Sequence, residues 1–124
     1  MATKFYKCNH CGNVIEKIID SKVPVFCCGE KMEELVPNTV EASGEKHIPV
    51  VTRLEDNIIK IEVGSVHHPM LPEHHISFIY VETEHGGIRI DLKDQPVAVV
   101  HLGEEKAVAV YEYCNLHGLW KVEL

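Results

Sequence analysis

One cysteine and one histidine near the end of the sequence have the spacing of metal ligands. Cys114 and His117 stand three residues apart in a loop that ends at Gly118, just before a final apolar stretch. A thiol and an imidazole at this spacing can bind a single ion. Cys114 has no cysteine near it in the sequence, so its expected partners are the histidines of other loops, namely His47, His68 and His74. One thiolate with several imidazoles suits iron, copper or zinc, and does not suit magnesium or calcium.

The other four cysteines lie within the first 28 residues and form a second candidate metal site. Cys8 and Cys11 make a Cys-x-x-Cys pair, whereas Cys27 and Cys28 are adjacent. Adjacent cysteines can scarcely bond to each other without strain, but both can reach one ion. This pattern predicts a four-thiolate site, for which structural zinc is the alternative to iron. A segment below roughly 40 residues rarely folds on a hydrophobic core alone, so a metal is expected to stabilise it.

Composition and charge exclude several classes of protein. The chain has 124 residues and a net charge of -7. Its acidic residues are spread along the sequence, which argues against a nucleic-acid binder. No apolar run approaches the roughly 20 residues of a membrane helix, and the first residues have neither a signal core nor a transit pattern. We therefore expect a cytoplasmic protein, in which five cysteines favour metal binding over disulfides.

The elements that must position these side chains are predicted to be short strands. In the first domain, residues 1–36, strands are expected at residues 4–7 and 14–19, with the first cysteine pair in the turn between them. Residues 37–44 are polar and broken by proline and glycine, which predicts a linker. The domain that follows, residues 45–124, has seven strand signals, at residues 50–55, 58–63, 76–83, 87–92, 97–102, 107–113 and 119–123.

Seven strands and no helical pattern predict a two-sheet sandwich of immunoglobulin-like type in the second domain. The whole chain is thus expected to be all-β, with a small metal-stapled β domain in front of the sandwich. The candidate histidines and Cys114 fall in the predicted loops. Loops at the end of a rigid sandwich are where functional sites are commonly built.

Several motifs, in the same order along the chain, resemble those of the superoxide reductases. They are EKHIP at residues 45–49, GSVHHPM at 64–70, EH at 73–74 and EYCNLHGLW at 112–120. The N-terminal segments YKCNHCGN, at residues 6–13, and CCG, at 27–29, resemble the desulforedoxin-like domain of the two-iron members, the desulfoferrodoxins. The resemblance extends over essentially the whole chain.

This resemblance implies a fold and two iron centres. The second domain would be an immunoglobulin-like sandwich that carries a mononuclear iron with an axial cysteine, Cys114. The four equatorial ligands would be His47, His68, His74 and His117. The N-terminal iron would be bound by Cys8, Cys11, Cys27 and Cys28.

The resemblance also implies an activity, which is the one-electron reduction of superoxide to hydrogen peroxide. Glu45 would be a reversible sixth ligand of the iron, and Lys46 would guide the anion and deliver protons. The electron donor would be a rubredoxin or a similar small redox protein. Family members are commonly homodimers.

Two other functions are compatible with metal-binding residues of this kind. In the first, both irons transfer electrons and no substrate binds. In the second, zinc stabilises a binding module that has no redox role; such a protein would be colourless, whereas ferric thiolate centres absorb visible light. The remaining histidines are interpreted as solvated or packed residues, namely His10, His67, His75, His85 and His101.

Overall fold

The computed structural model describes residues 3–42 and 44–124, and these are almost entirely strand and turn. The chain divides into two compact units, residues 1–36 and residues 37–124. Met1 and Ala2 of the predicted first domain and Ser43 of the predicted linker lie outside the described residues. Within the described ranges, no helix is long and apolar enough to cross a membrane. The all-β prediction is confirmed.

The first unit is built from five short strands and has very little apolar core. A three-stranded antiparallel sheet has the order β2-β1-β5, and β3 pairs with β4. The strands are β1 (Phe5–Lys7), β2 (Val14–Glu16), β3 (Phe26–Cys27), β4 (Glu30–Lys31) and β5 (Glu33–Leu35). The buried apolar side chains of this unit are Phe5, Cys8 and Met32. So small a core is consistent with a unit that a metal stabilises.

The second unit contains the seven predicted strands, and each end lies within two residues of its prediction. A single-turn helix, α1 (Gly44–His47), precedes them. The strands are β6 (Pro49–Arg53), β7 (Ile58–Val63), β8 (Ile76–Thr83), β9 (Gly86–Asp91), β10 (Val97–His101), β11 (Ala107–Cys114) and β12 (Gly118–Glu123). They form two antiparallel sheets, with the orders β10-β7-β6 and β12-β11-β8-β9.

The core of the second unit lies between these two sheets. Strand β7 alternates strictly between half-buried and buried residues, as expected for a strand with one face on a core. Ile59, Ile61 and Val100 of one sheet pack in the same cluster as Val81 and Val110 of the other. The hairpin between β6 and β7 turns at Asp56 and Asn57, and both have positive φ angles, which is typical of a tight hairpin turn.

Two of the candidate ligands lie in different elements from those expected. His47 is the last residue of helix α1 rather than part of a loop. A helix of one turn is too short to give a periodic sequence pattern, and Pro49 ends it because the residue before a proline avoids the helical conformation. Cys114 is the last residue of β11, because its backbone pairs with Gly118 and closes the hairpin with β12.

Candidate metal centres

Five side chains from four parts of the second unit converge on one another. One ligand atom from each lies within 4.8 Å of the others. His47 is supplied by helix α1, and Cys114 by the end of β11. The remaining three come from connections between strands: His68 and His74 from the β7–β8 connection, and His117 from the β11–β12 turn. These are the five residues that the sequence analysis groups as ligands of the second iron.

The four imidazoles form a closed ring of neighbours. The pairs His47–His68, His68–His74, His74–His117 and His117–His47 are all edge-to-face, with ring centroids 4.5 to 5.0 Å apart. His47 Nε2 lies 3.1 Å from His68 Nε2 and 3.1 Å from His117 Nδ1. Cys114 Sγ lies 3.5 Å from His68 Nε2 and 3.8 Å from His117 Nδ1. The arrangement is that of a four-nitrogen set with one sulfur beside it.

Hydrogen bonding between the rings accounts poorly for this geometry. One imidazole nitrogen has either one proton or one lone pair, yet His47 Nε2 is close to two other nitrogens. In addition, His74 Nε2 is buried and has no hydrogen-bond partner among the described residues. A square with a 3.1 Å edge has its centre about 2.2 Å from each corner, near the metal–imidazole distance of about 2.0–2.1 Å. The five donors therefore fit a metal ion.

The ring of His68 is held in the tautomer that a metal requires. Its Nδ1 lies 2.7 Å from the carbonyl oxygen of Pro69, which can only accept a hydrogen bond, so Nδ1 is the protonated nitrogen. The Nε2 lone pair then points toward the other ligands. Burial lowers the pKa of His68 to about 4, because an apolar environment disfavours the imidazolium form. His68 is therefore neutral at physiological pH, as a ligand must be.

Trp120 packs directly against two of the ligands. Its indole stacks on the His47 ring with centroids 4.9 Å apart and an interplanar angle of 22°. Its Nε1 donates a hydrogen bond of 3.1 Å to the carbonyl oxygen of His117. From the sequence, Trp120 is interpreted as ordinary core or edge packing. Trp120 is indeed buried, and it also contacts two of the candidate ligands, which its residue type alone does not reveal.

The thiol of Cys114 is fully buried. Burial raises its pKa, and the backbone amides of His117 and Leu116 oppose that rise by hydrogen bonding to the sulfur. A β-bulge lies beside it: Tyr113 pairs with Phe78, but Cys114 pairs with Ile76. Bulges of this kind redirect side chains near functional sites. A positive ion at the site would favour the thiolate.

A buried carboxyl group lies on β11 two residues before Cys114. Glu112 has no exposed surface, and neither carboxyl oxygen has a hydrogen-bond partner among the described residues. Burial raises the pKa of Glu112 to about 9, so the group is a neutral acid at pH 7. Sequence reasoning missed this residue because glutamate is rarely buried.

Helix α1 is pressed closely against the start of the β7–β8 connection. The carbonyl oxygen of Glu45 accepts hydrogen bonds from Val66 N and Ser65 Oγ, both at 3.2 Å. Gly64 has a φ of +82°, and a Cβ atom there would lie 2.7 Å from the Glu45 carbonyl oxygen. Only glycine permits this approach without a shift of the backbone. The approach fixes His47 relative to the segment that supplies His68.

The side chains of Glu45 and Lys46 are exposed on helix α1, next to the buried ligand His47. The pKa of His74 is lowered, first by burial and then by neighbouring charges that include Lys46. The neighbouring His67 lies outside the ligand group, with its Nε2 2.8 Å from a carboxylate oxygen of Glu62.

The four N-terminal cysteines form the second group. Each provides one sulfur, and all four sulfurs lie within 4.8 Å of one another. The sulfurs of Cys11 and Cys27 are 3.7 Å apart. A regular tetrahedron with this edge has its centre about 2.3 Å from each corner, which is the usual zinc–thiolate distance. All five cysteines of the chain are free of disulfides.

The pKa values of these thiols indicate that they need a cation. The amide of Cys11 donates to the sulfur of Cys8, which lowers the pKa of Cys8 to about 6. The thiol of Cys28 donates to the sulfurs of Cys11 and Cys8, which raises the pKa of Cys28 to about 12. The sulfur of Cys8 thus favours the thiolate, whereas the pKa values of Cys27 and Cys28 are raised by neighbouring sulfurs that accept their protons in hydrogen bonds. A bound cation allows all four to be deprotonated.

Comparisons with known proteins agree with both groups of ligands. A family model described as desulfoferrodoxin matches residues 39–123. A desulfoferrodoxin of Syntrophotalea carbinolica is 42% identical over 120 residues, which are 95% of this chain and 94% of that one. A desulfoferrodoxin of Nitratidesulfovibrio vulgaris is 40% identical over 122 residues, 97% of this chain and 95% of that one.

A solved structure extends the similarity to the fold of the whole chain. The crystal structure of the superoxide reductase from Treponema pallidum matches with a TM-score of 0.82 and 31% identity, over 99% of this chain and 100% of that one. The four-cysteine group and the four-histidine, one-cysteine group match the two iron centres of a desulfoferrodoxin. Sequence, fold and ligand sets agree, and the chain belongs to the desulfoferrodoxin family.

Proposed function

We propose that this protein is a superoxide reductase, which reduces superoxide by one electron to hydrogen peroxide. The observation that carries the proposal is the convergence of four imidazole nitrogens and the Cys114 thiol within 4.8 Å. Five donors of this kind suit iron, and an iron ion held by them would have one coordination position left for another ligand. We assign residues 1–36 as a desulforedoxin-like iron-binding domain, 37–44 as a linker and 45–124 as the superoxide reductase domain.

The metal and the protein have separate tasks in this reaction. A ferrous ion at the five-ligand site would supply the electron and a position at which the anion can bind. The protein must attract an anion, deliver two protons and hold the ligand set unchanged while the metal changes charge. Two of the imidazoles are held by neighbouring groups. Trp120 stacks on His47, and the carbonyl oxygen of Pro69 accepts a hydrogen bond from the ring of His68.

Lys46 is assigned to guiding superoxide and to proton delivery. The whole chain has a charge of -7, so its long-range field repels an anion, although salt limits that field to about 8 Å. Lys46 is exposed next to the buried ligand His47. A local positive charge at that position attracts superoxide over the last few ångströms.

Glu45 is assigned as a reversible ligand of the oxidised metal. Its backbone is held by Val66 and Ser65, whereas its side chain is exposed, two residues before the ligand His47. A carboxylate favours an ion of higher charge, so it would bind after the electron has left and be displaced on reduction.

We assign the four-cysteine iron to electron transfer or storage. The electron donor is proposed to be a rubredoxin-like protein. Leu116, between the ligands Cys114 and His117, is 59% exposed. It offers a small apolar contact two residues from Cys114, which suits a transient redox partner.

We further propose a homodimer in a cytoplasmic setting. Among its described residues, the first unit exposes five large apolar side chains, namely Ile18, Ile19, Val23, Phe26 and Val36. Exposed apolar groups commonly mark association surfaces where they form a continuous patch. The absence of disulfides among all five cysteines is usual in a reducing compartment. Sedimentation equilibrium of the full chain tests the dimer, and a mass of one chain at micromolar concentration would reject it.

Product stoichiometry tests the proposed activity. Iron-loaded protein with excess reductant should form one hydrogen peroxide per superoxide and no dioxygen. Zinc-loaded protein is the matched control, because zinc has no redox chemistry, and it should consume no superoxide above the uncatalysed rate. One peroxide per two superoxide ions, with dioxygen, would mean dismutation. No consumption by the iron form would leave electron transfer as the function.

A further inference from the structure

Asn115 links the axial cysteine to the loop that supplies the histidine ligand His74. It is the first residue of the β11–β12 turn, directly after Cys114, and is half-buried. Its Oδ1 accepts a hydrogen bond of 2.8 Å from the backbone N–H of His75. Its Nδ2 donates a bond of 3.0 Å to the backbone carbonyl of Glu73. One amide side chain thus binds the peptide groups on both sides of His74.

A third bond makes the attachment rigid. The backbone N–H of Asn115 donates to the carbonyl oxygen of His75 at 3.1 Å. Asn115 and His75 therefore exchange two bonds, one from each backbone N–H, in addition to the bond to Glu73. Three bonds to consecutive peptide groups leave the backbone at His74 little freedom to rotate or slide relative to Cys114.

His74 needs this support more than the other histidines do. It lies in the long β7–β8 connection, where its backbone makes one isolated bridge with Leu71. His68 is oriented by its ring bond to Pro69, and His47 by the stacked Trp120. By contrast, His74 Nε2 has no hydrogen-bond partner among the described residues. The contacts that place it are on its backbone: two bonds to Leu71 within the same connection, and the bonds of Asn115, which tie that connection to the strand that ends at Cys114.

We propose that Asn115 is a positioning residue that fixes His74 relative to Cys114, so that the five-ligand site is formed before the metal binds. The inference rests on the proposed metal site, and it concerns metal affinity rather than the reaction with superoxide. Residues that orient ligands typically change metal affinity by about 10- to 100-fold when they are replaced.

Cobalt(II) titration of the full chain, followed by absorbance, tests the proposal. The four-thiolate site and the histidine site give different spectra, so the first site is an internal reference in every variant. Asn115→Ala should weaken cobalt binding at the histidine site by about 10- to 100-fold and leave the four-cysteine site unchanged.

A double-mutant cycle shows whether Asn115 acts through His74. In a His74→Ala background, the further change Asn115→Ala should have almost no effect on cobalt affinity, because the residue that it positions is already absent. Multiplicative effects of the two substitutions would overturn the proposal. So would an unchanged affinity in Asn115→Ala alone.

Asn57→Asp is the matched control for general destabilisation. Asn57 Nδ2 also clamps backbone carbonyls, those of Gly103 and Glu105, at 2.8 and 2.9 Å. Its loss should lower the melting temperature but leave the cobalt affinity of the histidine site unchanged. An equal loss of cobalt affinity in Asn57→Asp would show that affinity reports fold stability only, and would overturn the specific role of Asn115.

Amide hydrogen exchange on the wild-type chain tests the same proposal without any substitution. The N–H groups of His75 and Asn115 should be protected in the metal-free protein and gain little on zinc addition. Protection that appears only after zinc is added would mean that the metal orders the loop, and would overturn the proposal. Failure of the wild-type chain to bind cobalt at the histidine site would instead count against the proposed function.

Discussion

The indole of Trp120 lies flat on the imidazole of His47, with centroids 4.9 Å apart and planes at 22°. The same indole donates a hydrogen bond to the carbonyl of His117. One buried side chain thus supports two ligands that are 70 residues apart in the sequence. Strand β12 makes this possible, because it begins at Gly118 and places Trp120 opposite Glu112 of β11.

Replacement of Trp120 should therefore affect both stability and metal binding. Trp120→Leu removes the stacked ring from a buried position and should cost about 2–4 kcal/mol of unfolding free energy in the metal-free protein. Trp120→Phe retains an aromatic ring but loses the bond to His117, which is expected to cost about 1 kcal/mol. Chemical denaturation and cobalt titration of both variants test whether Trp120→Leu has the larger effect on stability and on metal affinity. Equal effects of Leu and Phe would contradict a role for the stacked ring.

Cys114→Ser should alter the second metal centre and leave the four-cysteine centre unchanged. Serine replaces a soft thiolate by a poorer ligand for iron, so the sulfur-to-iron absorption of the second site should disappear and superoxide reduction should fall on the order of 100-fold or more. The four-cysteine site uses none of these residues, and its spectrum should be unchanged. Unaltered superoxide reduction in this variant would count decisively against the mechanism.

Lys46→Ala should slow the encounter with superoxide. Loss of a local positive charge is expected to reduce the bimolecular rate by up to about tenfold at low ionic strength, and to weaken its salt dependence. Lys106→Ala is the matched control, because Lys106 is far from the metal site. It lies just before the first residue of β11, whereas Cys114 is the last residue of that strand. Eight residues of strand separate them by roughly 25 Å, well beyond the screening length of about 8 Å. Equal slowing by both variants would remove Lys46 from the mechanism.

The pair formed by His85 and Glu105 should make stability depend on pH. Its atoms Nδ1 and Oε2 are 2.9 Å apart. The bond to Glu105 raises the pKa of His85 above 6.5, so this stabilisation is fully present below that pH and is lost as the pH rises through the folded pKa. Bonds from Thr83 and His85 lower the pKa of Glu105 below 4.5, so its stabilisation is present above that pH and is lost on acidification.

The raised pKa of His85 and the lowered pKa of Glu105 together mean that this pair stabilises the folded protein most between about pH 4.5 and 6.5. His85→Ala should lower the melting temperature more at pH 5.5 than at pH 8.5, and by a small amount because the histidine is 78% exposed. Thermal unfolding of both proteins at the two pH values measures this difference. A pH-independent difference would mean that the pair does not form in solution.

Much of the fold could be predicted because its signals are local. The alternation of Ile59, Ile61 and Val63 with polar residues follows from the period of a strand, and the turn at Asp56 follows from its residue type. Helix α1 could not be predicted in this way, since one turn has no period. Its backbone is held by contacts that are remote in sequence: the helix packs closely against Gly64, and the Glu45 carbonyl oxygen accepts hydrogen bonds from Val66 and Ser65.

The nine candidate ligands could be grouped by motif, but their supports could not. Trp120 and Asn115 act through partners that are remote in sequence, and a single sequence does not show such contacts. Asn115 is a typical turn residue by type, and its role follows only from bonds to Glu73 and His75. These contacts depend on how β8, β11 and β12 are paired.

The central claim is that the site formed by His47, His68, His74, Cys114 and His117 reduces superoxide. Stopped-flow mixing of the fully reduced, iron-loaded protein with superoxide tests it most directly, with visible absorbance to separate the two irons. The account predicts a fast change at the histidine-ligated iron, ending in its ferric form, with one hydrogen peroxide per superoxide and no dioxygen. No change there, or oxidation of the four-cysteine iron alone, would contradict it.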